Sequence, residues 1–291
     1  MKRRFSSAAR CGLTLIELVV VMAIIAVLAS MVIPRLDFLK AQAEHSASAG
    51  TQGDLGTIIQ TFKTSSGKYP TFDTLIASSG NTLYSKLQSQ TAGSFLEATT
   101  IPTPAGPGTD WYRSFSDGGF TYGYQHDAAA TDASSSGTTA VDVVNQIFDG
   151  SIKFATVKST GGGTYGAALR AAIYPGGATY VTPVADDPAT TTIDETVVGG
   201  WTQVAAGTIP ATSKLVAFGV GPKSNLVGNV MVSAPSSAMA ADDSAATYCR
   251  YLVIFEIFSN GAPAKFKMIT DHRGRQIGAR IDLYKQGSAV N

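Results

Sequence analysis

The sequence predicts an α+β fold in which one long N-terminal α-helix lies against an antiparallel β-sheet head with loop insertions, and three observations carry the prediction. Leu13 to Ile33 is an apolar run of 21 residues broken by a single carboxylate, Glu17. Beyond Pro34, Leu36, Leu39 and Ala43, then Leu55, Ile58, Ile59 and Phe62, recur at the three- and four-residue spacing of one helical face. The remainder, residues 66–291, is rich in Ser, Thr, Gly and Ala and carries short strand-like runs, the clearest of them paired around Asn260-Gly261 as a hairpin.

As a helix the apolar run rises about 31 Å, the thickness of a hydrocarbon core of ~30 Å. Lys2, Arg3, Arg4 and Arg10 precede it and no Lys or Arg follows until Arg35, so the positive-inside bias keeps the N-terminus cytoplasmic and sends the rest outward. An ordinary secretory signal has a shorter apolar core with a small-residue cleavage site after it, which leaves an uncleaved signal anchor as the plain alternative. Cys11 stands before the run, whereas a lipidated cysteine follows one.

The stretch Arg10-Cys11-Gly12-Leu13-Thr14-Leu15-Ile16-Glu17, with its apolar run and Pro34, resembles the class III leader and N-terminal helix of the type IV pilin and type II secretion pseudopilin superfamily. The resemblance implies a cleaved leader at residues 1–12, peptidase cleavage between Gly12 and Leu13, N-methylation of Leu13, and a transmembrane and assembly helix over 13–33. It implies assembly roles for Glu17 and for Pro34, where the helix kinks or partly unwinds. The partners it implies are a prepilin peptidase, copies of the chain and other pilin-like subunits in a filament, an inner-membrane assembly platform, and membrane lipid. It also implies a single-pass inner-membrane protein with its head periplasmic or otherwise extracytoplasmic before it enters the filament. The match covers roughly Lys2 to Pro34, with a weaker continuation to Pro70.

Electrostatics explains a carboxylate at this place. Leader removal exposes an ammonium on Leu13, and Glu17 of one subunit can meet the Leu13 ammonium of a neighbour, each charge offsetting the other's desolvation. Such a pair sets register more than strength, since leaving one partner alone in low dielectric costs about 3–5 kcal/mol.

Residues 34–65 form the amphipathic half of the helix. Gly50, Gly53 and Gly56 fall within it at up to ~1 kcal/mol each relative to Ala, so either the helix breaks there or another backbone approaches closely. Thr64 to Leu75 stops the helix, and its Gly67-Lys68-Tyr69-Pro70-Thr71 resembles the segment that follows the long helix in major pseudopilins; a plain helix-stopping loop is the alternative.

In the head, strands are expected at Gly119–Tyr124, Gln146–Phe154, Lys214–Val220, Val227–Val232, Arg250–Phe258, Ala264–Thr270 and Ala279–Tyr284, with surface loops at Ala128–Thr139, Ser159–Gly166 and Ala185–Thr192. Phe266 and Met268 alternate only imperfectly with Lys265, Lys267 and Ile269, which leaves the buried face open. With the leader removed, 279 residues remain, large for a pilin-like subunit, and one elaborated head fits them better than two domains.

Composition narrows the function. Of 22 Lys and Arg, four leave with the leader, and the 18 that remain stand against 21 Asp and Glu, so there is no basic footprint for nucleic acid. Lys265, Lys267, Arg273, Arg275 and Arg280 cluster late in the sequence; a solvated strand edge explains them more simply than DNA uptake. Once Cys11 departs, Cys249 is alone, which excludes an intrachain disulfide and favours the pseudopilin branch; its place at an apolar strand reads as a small buried hydrophobe. There is no Gly-x-Ser-x-Gly, no His-Glu-x-x-His, and no phosphate loop, because Tyr69 follows Gly67-Lys68. Gly219-Val-Gly221 reads as a turn after a strand. His45, His126 and His272 are scattered, and Asp186-Asp187 and Asp242-Asp243 lack EF-hand spacing, so solvated loops are favoured over a calcium site. The expectation is a non-enzymatic filament subunit without a cofactor; a membrane-anchored extracytoplasmic enzyme or binding protein with a borrowed N-terminus is the alternative.

Overall fold

The computed structural model describes residues 15–75, 95–101, 110–125, 139–143, 153–174, 178–180, 201–203, 207–237 and 247–278. Its elements in chain order are α1 (Leu15–Ser66), β1 (Phe72–Asp73), β2 (Leu96–Thr100), α2 (Trp111–Gly118), β3 (Tyr122–Gln125), β4 (Thr139–Asp142), β5 (Lys153–Val157), α3 (Gly163–Ile173), β6 (Ala178–Tyr180), β7 (Trp201–Gln203), β8 (Ser213–Gly219), β9 (Leu252–Phe258) and β10 (Lys265–Thr270). The α+β architecture of an N-terminal helix followed by a mainly antiparallel sheet is therefore as expected.

α1 is one unbroken helix of 52 residues. It does not unwind at Pro34, and of the two readings of its glycines the break is removed. Gly50 and Gly53 face open space, and a Cβ added at Gly56 would stand at ordinary contact distance from Ile269 Cδ1 (3.8 Å) and Phe266 Cζ (3.9 Å). The helix ends where Gly67, at φ +71°, turns left-handed and donates its N–H to the Lys63 carbonyl. The Lys63 ammonium donates to the carbonyls of Gly118 and Gly67, holding a cation at the C-terminal ends of α1 and α2 together. Burial lowers its pKa from the ordinary lysine value.

The sheet runs β10-β9-β8-β1-β3-β4, with β5 also on β8 and β2 on β5; β1–β3 is the parallel pair. β8 and β9 are buried on both faces. Val216, Phe218, Val253, Phe255 and Ile257 face α1 and α2 with Leu55, Ile59, Phe115 and Phe154, whereas Leu215, Ala217, Leu252 and Ile254 face Leu169 of α3, Phe95 and Leu75. A strand covered on both sides reads as a continuous apolar run, as Leu252–Phe258 does. Glu256 is the charged exception: it accepts from Tyr174 Oη at 2.5 Å and pairs with Lys267 Nζ at 2.6 Å. Burial first and the Glu256 contact second raise the Tyr174 phenol well above its ordinary pKa, which keeps it the donor.

The hairpin around Asn260-Gly261 is present, Gly261 at φ +76° and Asn260 Oδ1 accepting from Ala262 N. The irregular alternation on β10 has a physical origin: the register shifts between Phe266 and Met268, so Phe266 and Ile269 share the α1 face across three residues rather than two. The bulge falls at Lys267, which reaches Glu256.

Three expectations are corrected. Gly163–Ile173, partly inside the stretch read as a Ser159–Gly166 loop, is helix α3, since the Ala- and Leu-rich stretch after its glycines has strong helical propensity. Val227–Val232 forms a turn with one Val227–Met231 bridge, because Gly228 takes φ +85° and Asn229 Nδ2 caps the Asn225 carbonyl at 2.6 Å. α2 was not expected at all; its buried Trp111, Ser114, Phe115 and Gly118 follow helical spacing. Strand β5 begins at Lys153, and the expected strand Ala279–Tyr284, the loops 128–138 and 185–192, His126 and both Asp pairs lie outside the described residues.

Among the described glycines, Gly219 is the most tightly packed. A Cβ there would overlap Tyr248 Oη and stand 2.6 Å from its Cζ. Tyr248 is buried and donates to Asp73 Oδ2 at 2.9 Å; burial and the Asp73 charge hold its pKa well above the usual 10. Gly219→Ala is therefore expected to cost about 1–3 kcal/mol by overpacking, read as a lower urea midpoint of unfolding, and an unchanged midpoint would contradict this packing.

Candidate assembly segment

The N-terminal part of α1 is apolar in every direction. All residues at 15–30 are exposed, and Leu15, Ile16, Leu18, Val19, Val20, Val21, Met22, Ile24, Ile25, Val27 and Leu28 are each 46–82% accessible. Consecutive residues of a helix point about 100° apart, so this apolar surface runs round the whole circumference. A helix of that kind is stable only inside a bundle, a core or a bilayer. The described part of the apolar run, residues 15–33, rises about 28 Å, and among the described residues no helix is long and apolar enough to cross a membrane.

Glu17 lies in the exposed first turn of α1, where the N-terminal end of the helix dipole favours a carboxylate. Gly12 and Leu13, the expected cleavage and methylation positions, lie outside the described residues, and Pro34 lies within the continuous helix.

Farther along, α1 docks on the head. Leu55 and Ile59 are buried and Ile58 and Phe62 pack beside them, as the spacing predicts. Leu39 and Ala43, expected on the same face, are instead exposed. The buried face continues toward the N-terminus through polar residues: His45, Ser48 and Gln52, each 1–8% exposed. Tyr251 Oη donates to Ser48 Oγ at 3.0 Å, and Gln52 Nε2 donates to the Arg275 carbonyl at 3.3 Å. These three positions hold the helical phase of Leu55 and Ile59, and that phase was the only signal in the sequence that pointed to them.

The turn that receives Gln52 is built on a buried ion pair. Arg275 Nε donates to Asp271 Oδ2 at 2.6 Å, both side chains being fully buried, and Asp271 Oδ1 accepts from the amides of Arg273 and Arg275. Gly274 closes the turn at φ +83°, where a Cβ would stand 2.9 Å from the Phe95 ring. This corrects the solvated-edge reading of the late basic cluster at two positions, since Arg275 is buried against Asp271 and Lys267 is engaged by Glu256, whereas Lys265 is exposed and Arg280 lies outside the described residues. His272 is buried with Nδ1 2.8 Å from Ser237 Oγ, and the Cys249 side chain is buried. Among the described residues no group of three or more His, Cys, Asp or Glu could hold a metal ion.

The chain therefore presents a helix whose far half is clamped to the head through apolar and polar contacts and whose near half offers bare apolar surface to other molecules. Residues 7–33 match the family model of the prokaryotic N-terminal methylation motif, so the N-terminal segment is of the type IV pilin and pseudopilin kind. No curated protein and no solved structure matches the chain.

Proposed function

From an N-terminal segment of the methylated pilin kind, we propose that this protein is a structural subunit of a type II secretion pseudopilus or a type IV pilus-like filament. In this reading a prepilin peptidase cuts after Gly12, Leu13 is N-methylated, and the processed chain waits in the inner membrane with its N-terminus cytoplasmic and its head outside. An assembly platform then moves it into the filament, where neighbouring helices cover the apolar surface. The observation that carries the proposal is the coincidence of the methylation motif at residues 7–33 with a helix exposed round its full circumference at 15–30. Lipid covers such a helix before assembly and other subunits cover it afterwards. The lone Cys249 of the processed chain and the Gly67-Lys68-Tyr69-Pro70-Thr71 exit from the helix favour the pseudopilin branch. The role is structural, with no catalytic or cofactor chemistry assigned and no nucleic acid among the partners.

The test is the intact mass and N-terminal sequence of the protein from native membranes and from sheared surface filaments. A chain that begins at N-methylated Leu13 is expected in both fractions. A retained Met1, or a cut beyond Ile33, would remove the filament reading and favour an anchored or secreted protein.

A further inference from the structure

The turn at residues 226–233 shows valine to solvent. Val230 is 50% and Val232 97% exposed, whereas Leu226 is buried in the core and Met231 packs against it. The turn is braced from within and from beside. The amides of Val230 and Met231 donate to the Leu226 carbonyl, and Gly228 N donates to Met231 O at 2.8 Å. Thr71 N donates to Asn225 Oδ1 at 3.0 Å, and Asn225 N returns a bond to Thr71 Oγ1 at 2.9 Å. Solvent therefore meets two β-branched side chains on a fixed loop, where polar residues are usual.

Around the turn the charge is positive. Phe72 pairs with Gly123 of β3, so Tyr122, 57% exposed, lies beside Thr71. On the same strand the Lys223 ammonium stands 5.6 Å from the centre of the Tyr124 ring, and Lys68 is exposed on the exit from α1. The three segments that meet here, 66–72, 119–124 and 221–237, contain those two lysines and no Asp or Glu. We infer that this corner of the head, with Val230 and Val232 foremost, docks on the anionic lipid surface of a second bilayer, one that faces the bilayer taking the apolar stretch of α1.

The chemistry favours lipid over protein. The amides that brace the turn already have acceptors, and Asn229 Nδ2 donates to the Asn225 carbonyl, so the turn enters an interface without stranding them. Those same groups are then not offered as the directional hydrogen bonds that a protein partner reads. Lipid needs apolar side chains that insert, an aromatic ring at headgroup depth and cations on phosphate, and Val230, Val232, Tyr122, Lys68 and Lys223 are of these kinds. Distance favours a second bilayer. The corner is tied to the chain just past Ser66, about 54 Å from Ser30 along one unbroken α1. The far half of that helix is clamped to the head, which holds the corner away from lipid around residues 15–30. The inference needs that stretch to lie in lipid but needs no filament, so it fails separately from the assembly reading.

The test is vesicle capture. The full chain is reconstituted in phosphatidylcholine vesicles and mixed with labelled acceptor vesicles of phosphatidylcholine, with or without phosphatidylglycerol, and the captured label is measured. Capture of the phosphatidylglycerol vesicles is expected at about tenfold the level of the neutral ones. Val230→Asp with Val232→Asp is expected to lower it by about tenfold or more, and Lys68→Gln with Lys223→Gln by about tenfold. All four side chains are exposed, so both double variants should keep the native melting temperature. Lys153→Gln, exposed elsewhere on the head, is expected to change nothing. No capture, equal capture of neutral and anionic vesicles, or capture untouched by the aspartates overturns the inference, leaves the corner to a protein partner and leaves the filament role standing. Failure of the unmodified chain to insert into the donor vesicles overturns the membrane premise of both.

Discussion

Glu17→Ala is expected to be made, inserted and cut after Gly12 like the native chain, yet to enter filaments about a hundredfold less well. The carboxylate sits in the exposed first turn of a helix whose neighbours in sequence are all apolar. In an assembled bundle those neighbours are buried, and the new ammonium on Leu13 of an adjacent copy would be buried with them. Without Glu17 that ammonium has no counter-charge, at a cost of about 3–5 kcal/mol, and each 1.4 kcal/mol is about tenfold. In this reading the bond cut lies between Gly12 and Leu13, ahead of Glu17, so the loss is expected in assembly and not in processing. The measurement is the ratio of sheared-filament to membrane-bound subunit by quantitative immunoblot, with the intact mass of the membrane fraction as the processing control. A normal ratio would sink the pairing. Glu17→Asp, which keeps the charge on a shorter stem, is expected to recover part of the yield.

Arg275→Met is expected to be the most damaging single change in the head, at about 3–5 kcal/mol. Methionine replaces much of the volume of the arginine stem, so the cost is chiefly that of leaving the Asp271 carboxylate buried after its 2.6 Å partner is gone. The same turn presents the Arg275 carbonyl to Gln52, so its loss also loosens α1 where the helix meets the head. For a domain of this size the melting temperature should fall by roughly 10 °C. Adding Asp271→Asn removes the stranded charge while its amide oxygen can still accept from the two backbone amides, and the double variant should recover part of the loss. Thermal unfolding of the detergent-solubilised full chain checks both. A single variant within about 1 °C of the native chain would mean that the pair contributes nothing, since a loss of even ~1 kcal/mol moves the midpoint further than that.

Legibility differed between the two halves of the molecule. The exposed helix, its carboxylate and the terminal hairpin follow from residues close together in sequence: an apolar run, a three-and-four spacing, an Asn-Gly turn. α2 and α3 are short and sit among residues that also suit loops, and their helical form depends on the core they cover. The polar docking face was hidden because hydropathy scores His45, Ser48 and Gln52 as surface. Ser48 and Gln52 are buried because Tyr251 and the Arg275 carbonyl supply hydrogen bonds from more than 200 positions away in the chain.

By itself, then, the sequence determined the α+β class, the helical N-terminus and the methylation-type segment, because each is set by local pattern and composition. Tertiary structure alone decided that α1 stays continuous, that Arg275 is buried against Asp271, and that β10 bulges to bring Lys267 to Glu256. Burial of a charge and a register shift depend on which distant groups arrive together and how closely they pack, and no window of neighbouring residues carries that information.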